Sequence, residues 1–181
     1  MGSINVHICI PYSITKNLGA AYNETMQRIP DGDAACFIDY DVLLLTPDAG
    51  KIIHDYINLY PDALLTCFTN RVATWAKPQL LTGVPSEDTN IKNHIELAEK
   101  QKEHLYKVTP ISNYIAGFLM VLTKEFWQQN PFPDNGKCLG VDTMYSKSLK
   151  RKRVQVLRMD GLYCFHTYRM INGVKNANHL K

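Results

Sequence analysis

Apolar residues along the chain fall into short runs that switch between strand-like and helix-like spacing. The run NVHICIPY, residues 5–12, is β-rich and closed by Pro11, which predicts a first strand. Leu18, Ala21, Tyr22, Met26 and Ile29 then recur near helical spacing, and PDGD stops that helix with a turn. In AACFIDYDVLLL, residues 34–45, apolar side chains occupy both parities up to Asp39, as expected of a central strand covered on two faces. Thr46 and Pro47 open a further helix as cap and first residue, with Ile52, Ile53, Tyr56, Ile57 and Tyr60 on one side.

The pattern continues with a strand at ALLTCFTNRV and a long Pro-, Gly-, Ser- and Thr-rich loop over residues 74–90. A charged amphipathic helix spans residues 89–106. Residues 115–127 read as a strand running into a helix, residues 141–152 as a helix, RVQVLRM as a strand and GLYCFHTYRM as a last strand or bend. Strands alternating with helices predict a three-layer α/β/α sandwich around a mainly parallel sheet. A length of 181 residues suits a single domain, residues 1–181.

Apolar residues make up 45% and charged residues 20% of the chain, the balance of an ordinary globular protein. A net charge of +3 suits an anionic small molecule and falls short of a nucleic-acid footprint. The densest basic run, residues 147–156, reads as a solvated helix end, although it would also attract phosphate. The five cysteines stand singly and mostly within apolar runs, which predicts small reduced core residues. No apolar run is long enough to cross a bilayer, and the start lacks the order of a signal peptide, so a cytoplasmic protein is expected.

The chemistry concentrates at Asp39 and Asp41. Ligands of open α/β sheets sit beyond the carboxyl ends of the strands, where this pair falls. Residues i and i+2 of an extended chain point the same way, and two converging carboxylates repel unless a cation or a proton lies between them. Oxygen ligands suit Mg²⁺ or Mn²⁺, which complete their shells with substrate phosphates. The plainer alternative is an Asp39 that holds a backbone turn and an Asp41 merely exposed at a strand end.

The segment NLGAAYNETMQRIPDGDAACFIDYDVLLL resembles the N-x-G, helix, G-D, apolar strand, D-x-D order of GT-A glycosyltransferases of the family 2 type. IAGFLMVLTKEFWQQNPFP is similar to that family's small-Gly-apolar strand and the helix after it. GVDTMYSKSLKRKRVQVLRMDGLYCFHTYR resembles its acidic motif, helix, strand and closing His region. The likeness runs from Val6 to about Arg169, in an unusually short form. It implies a GT-A, nucleotide-diphospho-sugar transferase fold that moves a sugar from a nucleoside-diphosphate donor, a UDP-sugar foremost, to a hydroxyl of a glycan or other acceptor. Between the first strand and NLG, where the family carries a helix and a second strand, only SITK stands. The family's Glu-Asp is Val141-Asp142 here.

The resemblance makes Asp41 the direct metal ligand, with Asp39 binding through water or holding the donor ribose or sugar. Asp142 matches the general base of an inverting transfer, although Asp is equally suited to cap the helix it opens. His166 matches a third metal ligand or a diphosphate contact, against the plainer reading of a satisfied core histidine. Arg169 would neutralise phosphate or pair with a surface acid. Gly117 would let the donor sugar approach the backbone or simply relieve crowding. Pro11 and Tyr12 stand where the family holds the nucleobase, with Lys16 and Asn17 as weaker nucleotide contacts. Trp75 and Trp127 are aromatic candidates for an acceptor platform, with Trp127 weighed toward the core.

Two other functions compete. CFIDYDVLL also looks like the first motif of haloacid-dehalogenase-type phosphatases, in which the first Asp is a nucleophile, but the later acidic pair is reduced to Asp160. A non-catalytic carbohydrate-binding relative would keep the sheet and lose turnover.

Overall fold

The computed structural model describes residues 2–85 and 87–167. In chain order the elements are β1 (Val6–Cys9), α1 (Leu18–Arg28), β2 (Ala34–Ile38), β3 (Val42–Leu44), α2 (Ala49–Leu59), β4 (Leu64–Thr69), α3 (Ile91–Gln101), β5 (Val108–Pro110), β6 (Leu119–Thr123), α4 (Lys124–Gln129), α5 (Val141–Arg151) and β7 (Val156–His166), with 3-10 turns at Thr74–Gln79 and Lys102–His104. The strands form one seven-stranded sheet in the order β1-β2-β6-β4-β7-β3, with β5 pairing β7.

The class is α/β, but the sheet is mixed rather than mainly parallel. β1 with β2 and β4 with β7 are parallel, while β6 runs antiparallel to both β2 and β4, and β3 and β5 run antiparallel to β7. A parallel neighbour needs a crossover of a dozen or more residues. The chain instead reaches β6 through residues 111–118, already at the carboxyl edge of β2, where the Asp39 N–H donates to the Phe118 carbonyl at 2.9 Å. It can only run back.

Alternation along the central strands divides the core into two layers. Ala34 and Cys36 of β2, with Leu119 and Val121 of β6, pack on the face held by Ile52, Ile53, Tyr56 and Ile57 of α2. Ala35, Phe37, Met120 and Leu122 pack on the opposite face, against Tyr22 and Met26 of α1, Phe126 of α4 and Tyr145 and Leu149 of α5. This two-sided burial explains the unbroken apolar runs. Cys36, Cys67 and Cys164 are buried thiols, Cys9 is half-buried and Cys138 is exposed. Among the described residues, no helix is long and apolar enough to cross a membrane.

Two stretches depart from the expected elements. AACFIDYDVLLL is two strands, because β2 loses its partner where β6 begins. The Val42 N–H then closes a turn onto the Asp39 carbonyl at 3.1 Å, and β3 leaves to pair with β7. RVQVLRM and GLYCFH form a single bulged strand, β7. Its partner β4 advances one residue, Cys67 to Phe68, while β7 advances four, Met159 to Tyr163. Gly161 sits in that bulge, where a Cβ would lie 2.7 Å from the Leu105 Cα and 2.9 Å from the Tyr56 hydroxyl. Helix α2 also begins later than its Thr46-Pro47 signature implied, with Asp48 at the cap and the Ala49 N–H donating to the Thr46 carbonyl.

Candidate functional site

The turn between β2 and β3 delivers Asp39 and Asp41, and the end of β7 delivers His166. The register pairs Val42 with His166, and the Thr167 N–H donates to the Asp41 carbonyl at 2.9 Å, so the backbone itself fixes His166 beside Asp41. One ligand atom from each of Asp39, Asp41 and His166 lies within 4.8 Å of the others. The carboxylates therefore converge, as the sequence suggested, but by a turn rather than by the alternation of an extended strand.

Hydrogen bonding assigns the His166 ring. Its Nδ1 lies 3.0 Å from the Arg71 carbonyl, which can only accept, so Nδ1 carries a proton. Its Nε2 faces the Asp41 Oδ1 at 3.3 Å. That nitrogen is thus on the side of the ring turned toward the two carboxylates, where an imidazole can serve as a metal ligand. Opposite ligands of a Mg²⁺ ion stand about 4.2 Å apart, so a donor set spanning no more than 4.8 Å closes on an ion with small side-chain adjustments. Two carboxylates and one imidazole fit Mg²⁺ or Mn²⁺, the nitrogen favouring the softer Mn²⁺.

The charges respond accordingly. Burial, together with the neighbouring charges of Asp41 and Asp142, pushes the Asp39 carboxyl up to about 6 against a lowering by His166. Burial raises Asp41 too, but the hydrogen bond and charge of His166 outweigh it and hold that group below the ordinary carboxylate range. Burial raises Asp142, opposed by the backbone N–H groups of Thr143 and Gly117, which donate to it at 2.7 and 3.3 Å.

Asp39, Gly117, Asp142 and His166 line one pocket with Val72, Ala73, Trp75, Ala116 and Phe118. Gly140, at φ 84°, occupies the cap of α5, which leaves Asp142 in the first turn and turned toward the sheet. At Gly117 a Cβ would sit 3.4 Å from the Asp142 Cβ, an ordinary packing distance, so Gly117 and the start of α5 lie side by side in the pocket lining. The pocket encloses about 110 Å³, room for an ion with a few waters but well under the roughly 300 Å³ or more of a drug-sized ligand site. Anything larger has to extend over the rim beside Trp75, which is 40% exposed.

Other sequence candidates stand apart. Tyr12 and Asn17 line a separate depression with Ser13, Ile14, Thr15 and Glu24. The Asn17 amide is engaged there, its oxygen accepting from the Ala20 N–H to cap α1 and its nitrogen donating to Asp134. Lys16 is exposed in a left-handed conformation, φ 58°, and Pro11 is half-buried just past β1. The parallel pairing of Cys9 with Phe37 brings Pro11 and Tyr12 to the same sheet edge as Asp39. Trp127 belongs to the core, its Nε1 donating to Asn23 at 2.8 Å. Arg169 lies outside the described residues.

Two contributors escaped the sequence reading. Asn70 is fully buried, and its oxygen accepts the His166 N–H at 2.8 Å. It follows the apolar strand β4 as Asp39 follows β2, a signal that was there to be used. Gln79, also fully buried, clamps Ala116 in both directions. Its oxygen accepts the Ala116 N–H at 2.7 Å and its nitrogen donates to the Ala116 carbonyl at 3.0 Å and to the Thr66 hydroxyl at 2.7 Å. Within the loop sequence TWAKPQ nothing marks it. No protein-family model matches the chain, and no curated protein matches its sequence.

Proposed function

We propose that this protein is a metal-dependent glycosyltransferase that moves a sugar from a nucleoside-diphosphate donor, a UDP-sugar foremost, to an acceptor hydroxyl, on a GT-A-type scaffold. The observation that carries the reading is the convergence of Asp39, Asp41 and His166 at the carboxyl edge of β2, with Asp142 lining one pocket together with Asp39 and His166. Asp41, His166 and Asp39 would hold the ion. Bound there, a divalent cation supplies charge neutralisation for a diphosphate leaving group.

Asp142 is suited to be the base. Burial raises its basicity, while the N–H groups of Gly117 and Thr143 aim its carboxylate. In the proposed reaction the acceptor oxygen bonds C1 of the sugar and its proton passes to Asp142. The C1–O bond to the diphosphate breaks with its electron pair leaving on oxygen, and the anomeric configuration inverts. Trp75 offers an aromatic face at the rim for the acceptor.

The phosphatase alternative loses support at Asp160, its sole late acid. That carboxylate is tied to Arg158 at 2.8 Å and to the Thr109 hydroxyl at 2.7 Å, in the bulge of β7 rather than at the site. Calorimetry with UDP and Mn²⁺, followed by a panel of nucleotide sugars assayed for Mn²⁺-dependent hydrolysis, tests the proposal. Metal-dependent binding and turnover, both lost in Asp41→Ala, are expected. Absence of metal-dependent nucleotide binding, or hydrolysis unchanged in that variant, defeats it.

A further inference from the structure

Tyr22 belongs to the buried side of α1 and is 3% exposed. Its ring stacks on Phe132 at 4.5 Å and meets Phe37 edge-on at 4.8 Å, so packing fixes where its far end points. That end reaches the site. The hydroxyl lies 3.7 Å from where a Cβ on Gly117 would stand, and the Asp142 Cβ lies 3.4 Å from the same point. Gly117 and Asp142 both line the pocket that holds Asp39 and His166.

A buried tyrosine hydroxyl ordinarily finds a partner within the protein. Tyr56 donates to the Lys107 carbonyl at 3.0 Å, Tyr145 donates to the Asn130 carbonyl at 2.8 Å, and the Tyr163 hydroxyl lies 2.7 Å from the His94 Nδ1. Tyr22 is the exception among the buried tyrosines. No described residue hydrogen-bonds its hydroxyl, and the oxygen keeps some accessible surface instead of being sealed in. A phenylalanine would fill the same place and make the same ring contacts. The hydroxyl therefore serves only something that enters from outside. Burial, followed by the charges of Asp39, Asp142 and Cys138, holds the phenol above its ordinary pKa, so it stays a neutral donor.

The surroundings say what enters. Ionised Asp39 and Asp142 can only accept, whereas the Tyr22 hydroxyl has a proton to give. An occupant between them has to accept from the phenol and donate to a carboxylate. A phosphate oxygen has no proton to donate and is repelled by both acids, and a cation cannot accept. An alcohol does both.

We propose that Tyr22 is a specificity-determining contact to the transferred sugar, its hydroxyl donating a hydrogen bond to one sugar hydroxyl that in turn donates to one of the two flanking carboxylates. This assignment rests on the glycosyltransferase reading above and gives Tyr22 the sugar rather than the diphosphate. A site built to pair with a substrate hydroxyl discriminates strongly against the analogue that lacks it.

Tyr22→Phe tests it, because that change removes one oxygen and keeps the ring. The donor that the wild type hydrolyses fastest with Mn²⁺ is compared with its monodeoxy forms. The wild type is expected to disfavour one of these forms by at least about tenfold in kcat/KM. The variant is expected to lose at least about tenfold on the parent donor while keeping its rate on that one deoxy form within about twofold, so that discrimination collapses at a single sugar position. Its melting temperature should equal or exceed that of the wild type, and its affinity for UDP with Mn²⁺ should be unchanged by calorimetry. Undiminished kcat/KM on the parent donor, as expected if the hydroxyl only holds water, overturns the proposal. So does a loss shared by every deoxy form, a lower melting temperature or weakened UDP binding. Each of these defeats the Tyr22 contact alone when the wild type binds UDP with metal and turns over a nucleotide sugar. A wild type that does neither defeats the transferase reading, and the sugar contact with it.

Discussion

His166 holds its Nε2 3.3 Å from the Asp41 Oδ1 while its other ring nitrogen is committed to the Arg71 carbonyl. That hydrogen bond to the Arg71 carbonyl thus decides which side of the imidazole looks at the carboxylates. An ion bound between the two residues would use the nitrogen that the fold has left facing it.

Removing a donor should therefore weaken metal binding without unfolding the protein. Asp41→Asn and His166→Gln are expected to lower Mn²⁺ affinity at least about tenfold, the loss expected when one ligand of a small set is removed. Isothermal titration with Mn²⁺ alone checks this, and affinity equal to the wild type in both variants would refute the assignment.

Stability in the absence of metal should depend on Asp39 with an unusual sign. Its folded value, about 6, lies above that of an unfolded aspartate, so the folded state holds the proton more tightly. That contribution is fully present below about pH 4 and is lost as pH rises through 6, at a cost of up to about 3 kcal/mol. Asp39→Asn should melt higher than the wild type at pH 7, with the gap closing toward pH 4, and should forfeit stabilisation by added Mn²⁺. A variant less stable than the wild type at pH 7 would contradict the electrostatic picture.

Gln79 supports the strand entry that carries the Gly117 N–H to Asp142. Replacing it with methionine takes these partners from the half-buried Ala116 N–H and C=O and from the buried Thr66 hydroxyl, at about 1–3 kcal/mol. Thermal or urea denaturation reads that loss. In the hydrolysis assay, turnover should fall even at temperatures where the variant is fully folded.

Gly117→Ala separates packing from chemistry. The added carbon meets the Asp142 Cβ at 3.4 Å and the Met120 Cε at 3.5 Å, contacts that the fold can absorb. Stability should change by less than about 1 kcal/mol, whereas a methyl group added beside Asp142 in the pocket lining should crowd the approach to its carboxylate and lower turnover roughly tenfold. Unaltered kinetics would argue that Asp142 does not act at this position.

Most helices and strands were legible because two-sided burial leaves continuous apolar runs in β2, β4 and β6, and one-sided burial leaves helical spacing in α1 and α2. What escaped depended on partners distant in sequence. The end of β2 is set by where β6 begins, some 80 residues later, and β5 is too short to carry a pattern of its own. The candidate site divides the same way. Asp39, Asp41, Asp142 and His166 are polar residues beside apolar runs and stood out, whereas the role of Gln79 exists only once Ala116 is packed against it.

The irregularity in β7 has a reach that its position hides. Three residues more on β7 than on β4 are taken up between Met159 and Tyr163. Paired without that slack, β7 would carry the imidazole about 10 Å beyond the β2–β3 turn, and the odd offset would turn it to the opposite side of the sheet. Gly161 and the hydroxyl of Tyr56, which accepts its N–H at 3.0 Å, thus act as a length gauge for a donor atom they never touch.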